Sequence, residues 1–186
     1  MTIEYLFALG GNLPSEVGTP AQSLAEAVSA LAKAGCHITA ISRFFATPCF
    51  PPGAGPDYVN AALSARSDLA PEEMLALVHE VEAAFGRERV QRWGMRTLDI
   101  DLIAAGEQVL PDAATYALWR GLPADQQARE TPDKLILPHP RLQDRAFVLV
   151  PLNDIAPRWQ HPVLGLTVAQ MLENLDENDV KAVVSL

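Results

Sequence analysis

Apolar positions along this chain recur with two different periods, and the switches between them mark out the elements. Ile3 to Leu9 is a short apolar run broken by Gly10-Gly11-Asn12, which predicts a strand ending in a tight turn. Thr19 to Gln22 predicts a helix start, with Thr19 as N-cap, Pro20 at the first helical position and Gln22 completing a capping box. Leu24, Ala27, Val28 and Leu31 then fall on one helical side, and Gly35 closes the helix. Residues 37–45, "HITAISRFF", are rich in β-branched and aromatic types and predict a second strand. The segment 47–56, "TPCFPPGAGP", predicts a loop. From Tyr58 to Arg66 the period returns to two, with Val59, Ala61, Leu63 and Ala65 on one face and Tyr58, Asn60 and Ala62 on the other. A second helix begins at Pro71, carries Glu72 and Glu73 in its first turn, and runs through Met74, Leu77, Val78, Val81 and Phe85 to Gly86. Leu98 to Ala104 predicts a fourth strand. The order is β-α-β-β-α-β, the pattern of an α+β ferredoxin-like sandwich. Extra C-terminal elements follow: a polar excursion over 107–134 with a short helix, an extended Leu135 to Leu137, a strand over Phe147 to Leu152, and a helix capped by Thr167.

The fourth strand carries an anomaly. Asp99 and Asp101 sit two apart, so both side chains point to one face, while Leu98, Ile100 and Leu102 point to the other. Two adjacent carboxylates repel and are costly to dehydrate unless a positive group accompanies them. An arginine or a divalent cation meets that need, and hard oxygen ligands suit Mg²⁺ completed by substrate phosphates. A solvated edge strand is the plain alternative.

Composition and charge narrow the classes. The 186 residues, 49% apolar and 20% charged, predict one globular domain spanning 1–186 with an insertion at about 107–134. No apolar run approaches the length of a membrane span, and the N-terminal stretch lacks the basic start of a signal peptide, so a cytoplasmic protein without a membrane partner is expected. Cys36 and Cys49 fit neither a disulfide framework nor a zinc site. A formal charge of −9 argues against nucleic-acid binding. Against that acidic total, Arg87, Arg89, Arg92 and Arg96 cluster just before the aspartates, and Arg141 and Arg145 flank the region of His139. Local basic spots on an acidic protein point to a small anionic ligand.

Four stretches hold polar or aromatic groups that a core does not need: "GGNL" with Asn12, read by itself as a tight turn; "PDYVN", with Tyr58 and Asn60 on one face; "GRERVQRWGMRTLDID"; and "LPHPRLQDRAFVLVPL", with His139, Arg141, Arg145 and Phe147. Together with "FFATPCFPPGAGPDYVNAAL" they resemble, in order and spacing over nearly the whole chain, the 6-hydroxymethyl-7,8-dihydropterin pyrophosphokinase family of folate biosynthesis. The resemblance implies a ferredoxin-like core and transfer of the β,γ-diphosphate of ATP, as co-substrate, to the hydroxymethyl oxygen of the pterin, with release of AMP. It implies that Asp99 and Asp101 hold two Mg²⁺ ions on the triphosphate. Arg87 and Arg96 match catalytic-loop arginines, Arg89 and Trp93 lie on the same loop, His139 and Arg145 match nucleotide contacts, and Glu82 occupies a nucleotide-side helix position. Tyr58 and Phe147 match the aromatic pair that sandwiches the pterin, Asn60 its hydrogen-bonding amide, and Thr47, Pro48 and Phe50 the adjoining loop. The chain departs from the pattern at Gly11, where the family has Ser, at Met95 for Pro, at His79 for Gln, and in the length of 107–134. None of these removes an implied metal ligand or catalytic arginine.

Two further classes share parts of this pattern. A metal-dependent nucleotidyltransferase also pairs aspartates, but its glycine motif lies shortly before them, whereas Gly10-Gly11 is far upstream. A non-catalytic ferredoxin-like ligand-binding module has no need of two aligned carboxylates facing arginines. A monomer binding small molecules is the expected state, with an oligomer as the alternative.

Overall fold

The computed structural model describes residues 1–49, 53–86 and 96–186. The first part of the chain forms β1 (Ile3–Gly11), α1 (Pro20–Lys33), β2 (His37–Ile41), β3 (Phe45–Thr47), β4 (Tyr58–Ser67), α2 (Pro71–Ala84) and β5 (Asp99–Ala105). β1 pairs antiparallel with both β4 and β5, and β2 and β3 both pair antiparallel with β4. The expected second strand is thus one strand bent into two halves. Ser42 makes the bend: its N–H donates to the Ala62 carbonyl (2.9 Å) and its hydroxyl accepts from the Ala62 N–H (2.8 Å). With β2 and β3 counted together, the sheet order β5-β1-β4-β2/β3 is that of a ferredoxin-like fold. The glycines do not end β1 as expected; it runs on through Gly10 and Gly11, opposite Asn60 and Val59.

α1 and α2 cover one face of the sheet. Leu24, Leu31, Met74 and Val78 pack there with Tyr5, Phe7 and Leu63, and Leu98, Ile100 and Leu102 join them as the alternation of β5 requires. The expected capping box is formed, with the Thr19 hydroxyl accepting from the Gln22 N–H and the Gln22 amide oxygen accepting from the Thr19 N–H.

The other face carries a second core. Leu6, Ala8, Ala62 and Ile103 meet Val148, Leu149 and Leu152 of α5 (Ala146–Ile155) and Val168 and Met171 of α6 (Val168–Glu173). The strand expected over Phe147 to Leu152 is therefore a helix. Its buried positions 148, 149 and 152 follow helical spacing, and Pro151 has no N–H to give to a sheet ladder. Local β-preference yields here to burial against the sheet. After α6 come α7 (Glu177–Lys181) and β6 (Val184–Ser185), which pairs with β3.

Residues 107–134 hold two short helices, α3 (Ala113–Gly121) and α4 (Ala124–Arg129). This segment is fastened by Tyr116, which is fully buried and hydrogen-bonded to His161 (3.0 Å). Among the described residues no helix is long and apolar enough to cross a membrane. Cys36 and Cys49 are free, Cys36 buried and Cys49 partly so.

Candidate active site

The second core does not extend to the end of the sheet where β1 reads Gly10-Gly11. There the cross-strand register sets polar residues on one face in rows: Asp99, Gly10, Asn60 and Phe45 in one, Asp101, Ala8 and Ala62 in the next, Tyr58 opposite Thr47 beyond them. The face that is core at Ala8 and Ala62 becomes a site one row further on. Both carboxylates keep partial access to water, the Asp99 side chain at 25% and Asp101 at 37%.

Each aspartate faces a different arginine. Arg96 Nη1 lies 2.7 Å from Asp99 Oδ2, and Arg145 Nη1 lies 4.0 Å from Asp101 Oδ2. Arg145 precedes α5 and also stacks over the Phe147 ring, 5.6 Å from its centroid. Burial lowers the pKa of Arg145, Asp101 opposing and Arg141 adding to the effect, so this cation has lost much of its water and favours an anionic companion. Phe147 leaves the second core and remains 41% exposed, free to meet a flat ligand.

A bulge places the histidine. The pairing of β1 with β5 shifts between Leu6 and Phe7, leaving Ile103 as an extra residue whose carbonyl turns to accept the His139 N–H (2.8 Å). His139 Nδ1 accepts the Arg141 N–H (3.1 Å), which assigns the proton of the neutral ring to Nε2. Desolvation, then Arg145 and Arg141, push its pKa down, so His139 is a neutral N–H donor at physiological pH.

On the other flank, Asn60 is buried and its Nδ2 donates to the Thr47 hydroxyl (2.6 Å), which turns Oδ1 toward Gly10. A Cβ at Gly10 would stand 2.8 Å from that oxygen, so glycine keeps the acceptor accessible. Tyr58 is half-buried and its pKa is raised, chiefly by burial; Asp99 adds to the rise and Arg96 opposes it. Its phenol therefore shares the electrostatic environment of the Arg96 and Asp99 pair.

Of the residues expected from sequence, Arg96, Asp99, Asp101, His139, Arg145, Phe147, Thr47, Tyr58 and Asn60 gather at this end of the sheet; Pro48 follows β3 at the surface. Phe50, Arg87, Arg89 and Trp93 lie outside the described residues. Glu82 stands on α2 at the outer edge of β5, 1% exposed, and its Oε1 accepts the Ile100 N–H at 2.7 Å. Asn12, legible in the sequence only as a turn residue, does more. It is 2% exposed, its Oδ1 accepts the Arg96 N–H (2.8 Å), its own N–H and that of Leu13 donate to the Arg96 carbonyl (2.9 and 3.0 Å), and its Nδ2 reaches the Pro56 carbonyl (3.1 Å). Its signal in the sequence was an amide directly after two glycines at a strand end.

The donor set suits Mg²⁺. Two carboxylates share a face, and among the described residues they join no group of three or more acidic, His or Cys ligands. An ion here has to complete its shell with water and phosphate oxygens, as Mg²⁺ does beside a nucleotide.

Comparison with known proteins agrees with this geometry. Residues 6–157 match the family model described as 7,8-dihydro-6-hydroxymethylpterin-pyrophosphokinase. A 2-amino-4-hydroxy-6-hydroxymethyldihydropteridine pyrophosphokinase of Synechocystis sp. is 38% identical over 169 residues, covering 90% of this chain and 74% of the relative. One from Methylorubrum extorquens is 34% identical over 184 residues, covering 98% and 99%. Among solved structures, wild-type Plasmodium falciparum HPPK-DHPS superposes with a TM-score of 0.63 at 15% identity, over 93% of this chain and 44% of that longer one, a likeness of fold alone.

Proposed function

From the premise that this chain belongs to the 7,8-dihydro-6-hydroxymethylpterin-pyrophosphokinase family, and so is a pyrophosphokinase acting on hydroxymethyldihydropterin in folate biosynthesis with ATP as co-substrate, we propose which residues do the work. The observation that carries the assignment is the arginine-faced carboxylate pair on the same sheet face as Asn60, beside Phe147. The pterin lies between Tyr58 and Phe147, where stacking supplies affinity, and the Asn60 Oδ1 accepts from the N–H edge of the ring. Thr47 fixes the orientation of that amide, Pro48 follows it, and Phe50, outside the described residues, is assigned beside them on the family resemblance alone. The triphosphate lies toward Arg96, Arg145 and the neutral His139, whose Nε2–H donates without adding charge. Arg87, Arg89 and Trp93, outside the described residues, are assigned to the triphosphate on the family resemblance alone. In the reaction the hydroxymethyl oxygen takes the place of the α,β-bridging oxygen at the β-phosphorus, and AMP leaves. Little covalent chemistry falls to the protein, so positioning and neutralisation of phosphoryl charge carry the rate.

Two Mg²⁺ ions, held by Asp99 and Asp101, would supply Lewis-acid neutralisation of the phosphate oxygens. Arg96 and Arg145, which face these carboxylates, would lie beside the phosphates of a bound triphosphate and add to the neutralisation of their charge. The protein works as a single domain on small molecules.

The nucleotide product tests this reading. Incubation with ATP, Mg²⁺ and 6-hydroxymethyl-7,8-dihydropterin should yield AMP and the pterin diphosphate in equal amounts. Asp99→Ala or Asp101→Ala should abolish turnover while the far-UV circular dichroism stays that of the parent. Release of free diphosphate with transfer of a nucleoside monophosphate would identify a nucleotidyltransferase instead, and wild-type rates from either variant at limiting Mg²⁺ would remove the metal assignment.

A further inference from the structure

Among the described residues β5 pairs with β1 alone, so every second backbone amide points away from that partner. Ile100, between the two aspartates, is one of these, and its N–H meets the buried carboxylate of Glu82 at 2.7 Å. Glu82 is 1% exposed, so its carboxyl group has given up its water, and the Ile100 N–H is a group it meets in exchange. A second contact from the same turn reinforces the first: the Thr97 hydroxyl donates to the Phe85 carbonyl (3.0 Å). The end of α2 thus grips the start of β5 at two points, on either side of Asp99.

We propose that Glu82 is a positioning residue for diphosphate transfer: by accepting the Ile100 N–H it fixes the strand segment that sets the spacing and aim of the Asp99 and Asp101 carboxylates. The inference rests on the assignment of those aspartates to the reaction. What matters in this role is an acceptor oxygen at that place, not a charge facing the nucleotide. Without the acceptor the Ile100 amide is left to water, and the strand between the two aspartates loses its hold on α2, with the Thr97 contact remaining only ahead of Asp99.

Glu82→Gln and Glu82→Ala separate the two roles, because glutamine keeps the acceptor and loses the charge. Amide hydrogen exchange at Ile100, read by NMR against Leu63 as a control on global folding, should speed up at least tenfold in Glu82→Ala and stay within threefold in Glu82→Gln. In step, kcat should fall more than tenfold in Glu82→Ala with KM for the pterin within twofold, and stay within threefold in Glu82→Gln. Should Glu82→Ala not fold, the Glu82→Gln arm alone decides. Unchanged Ile100 exchange in Glu82→Ala, or a raised KM for ATP with kcat intact in either variant, or loss of kcat in Glu82→Gln, would overturn the proposal in favour of direct nucleotide contact or of no role. If the parent protein itself releases no AMP, the assigned reaction has failed, and the exchange data still decide whether Glu82 holds the strand.

Discussion

At the scale of single residues, the site depends on small groups in tight places. Gly11 is the clearest case. A Cβ built there would lie 2.6 Å from the backbone carbonyl of Thr97, a contact that no side-chain rotation can relieve. Gly11 faces the residues that connect Arg96 to Asp99, so any side chain at 11 pushes on the segment that aims both. Gly11→Ala should therefore cost about 1–3 kcal/mol of stability, the usual range for overpacking, and lower kcat by displacing the Asp strand. Urea unfolding together with steady-state kinetics would check this; an alanine variant matching the parent in both would mean that the two strands part without effect. The polar residues of the site were legible because each was anomalous where it stood: carboxylates within an apolar strand, an amide and an aromatic on one strand face, a histidine among arginines. What sequence could not supply was their partners. Nothing in the spacing of Asn60 and Thr47, or of Glu82 and Ile100, says that they bond, because those contacts arise from how separate elements stack.

Between elements, Asn12 holds the start of β5 to the end of β1 and to the chain before β4. It accepts the Arg96 N–H and, through its own and the Leu13 N–H, occupies the Arg96 carbonyl, while its side-chain amide holds Pro56. Asn12→Ala should leave the Arg96 N–H short of this partner, at a cost of about 1–3 kcal/mol, while the Pro56 carbonyl, at an exposed residue, turns to water. Since Arg96 is a phosphate contact in the proposed site, kcat should fall more than KM for ATP. A variant that loses stability but keeps kcat would make Asn12 a structural residue only. Element boundaries show where sequence reasoning succeeds and where it fails. The two helices under the sheet were readable from caps and periodicity, because Thr19, Gln22 and Gly35 act locally. α5 was not, because "FVLVPL" is a short apolar run whose β-branched residues favour a strand, and only the uncovered face of the sheet, with Leu6, Ala8 and Ile103 waiting to be buried, decides for a helix. The glycine pair misled for a similar reason: the break it suggested is a close approach between paired strands.

For the molecule as a whole, the 107–134 insertion is tied to the C-terminal segment at one buried polar point. His161 is fully buried; its Nδ1 accepts the N–H groups of Val163 and Leu164 (3.1 and 3.2 Å), so the ring proton is on Nε2 and faces the Tyr116 hydroxyl at 3.0 Å. Trp159 packs edge-on against the same ring and donates to the Gly106 carbonyl (3.2 Å), just past the end of β5. Protonating Nδ1 would turn the acceptor of two amides into a third donor against them. Burial first, and the charge of Arg120 second, accordingly push the His161 pKa from 6.5 down to about 4. A folded-state pKa below the unfolded one means that the unfolded chain binds more protons in the interval between them, so stability falls as pH drops from 6.5 toward 4 and is fully present above 6.5. At about 1.4 kcal/mol per pKa unit, the loss from this one group is at most about 3.5 kcal/mol. His139 is shifted the same way, so the comparison needed is one of slopes. Urea unfolding of the parent and of His161→Gln at pH 7, 6, 5 and 4.5 should show the parent losing stability more steeply, although the variant starts lower at pH 7. Parallel lines would mean that His161 gains its proton without disturbing the join. The proposed active site lies elsewhere, on the sheet face with Asp99, so at pH 7 the same variant should keep its turnover while the insertion becomes the first region to be cut by trypsin.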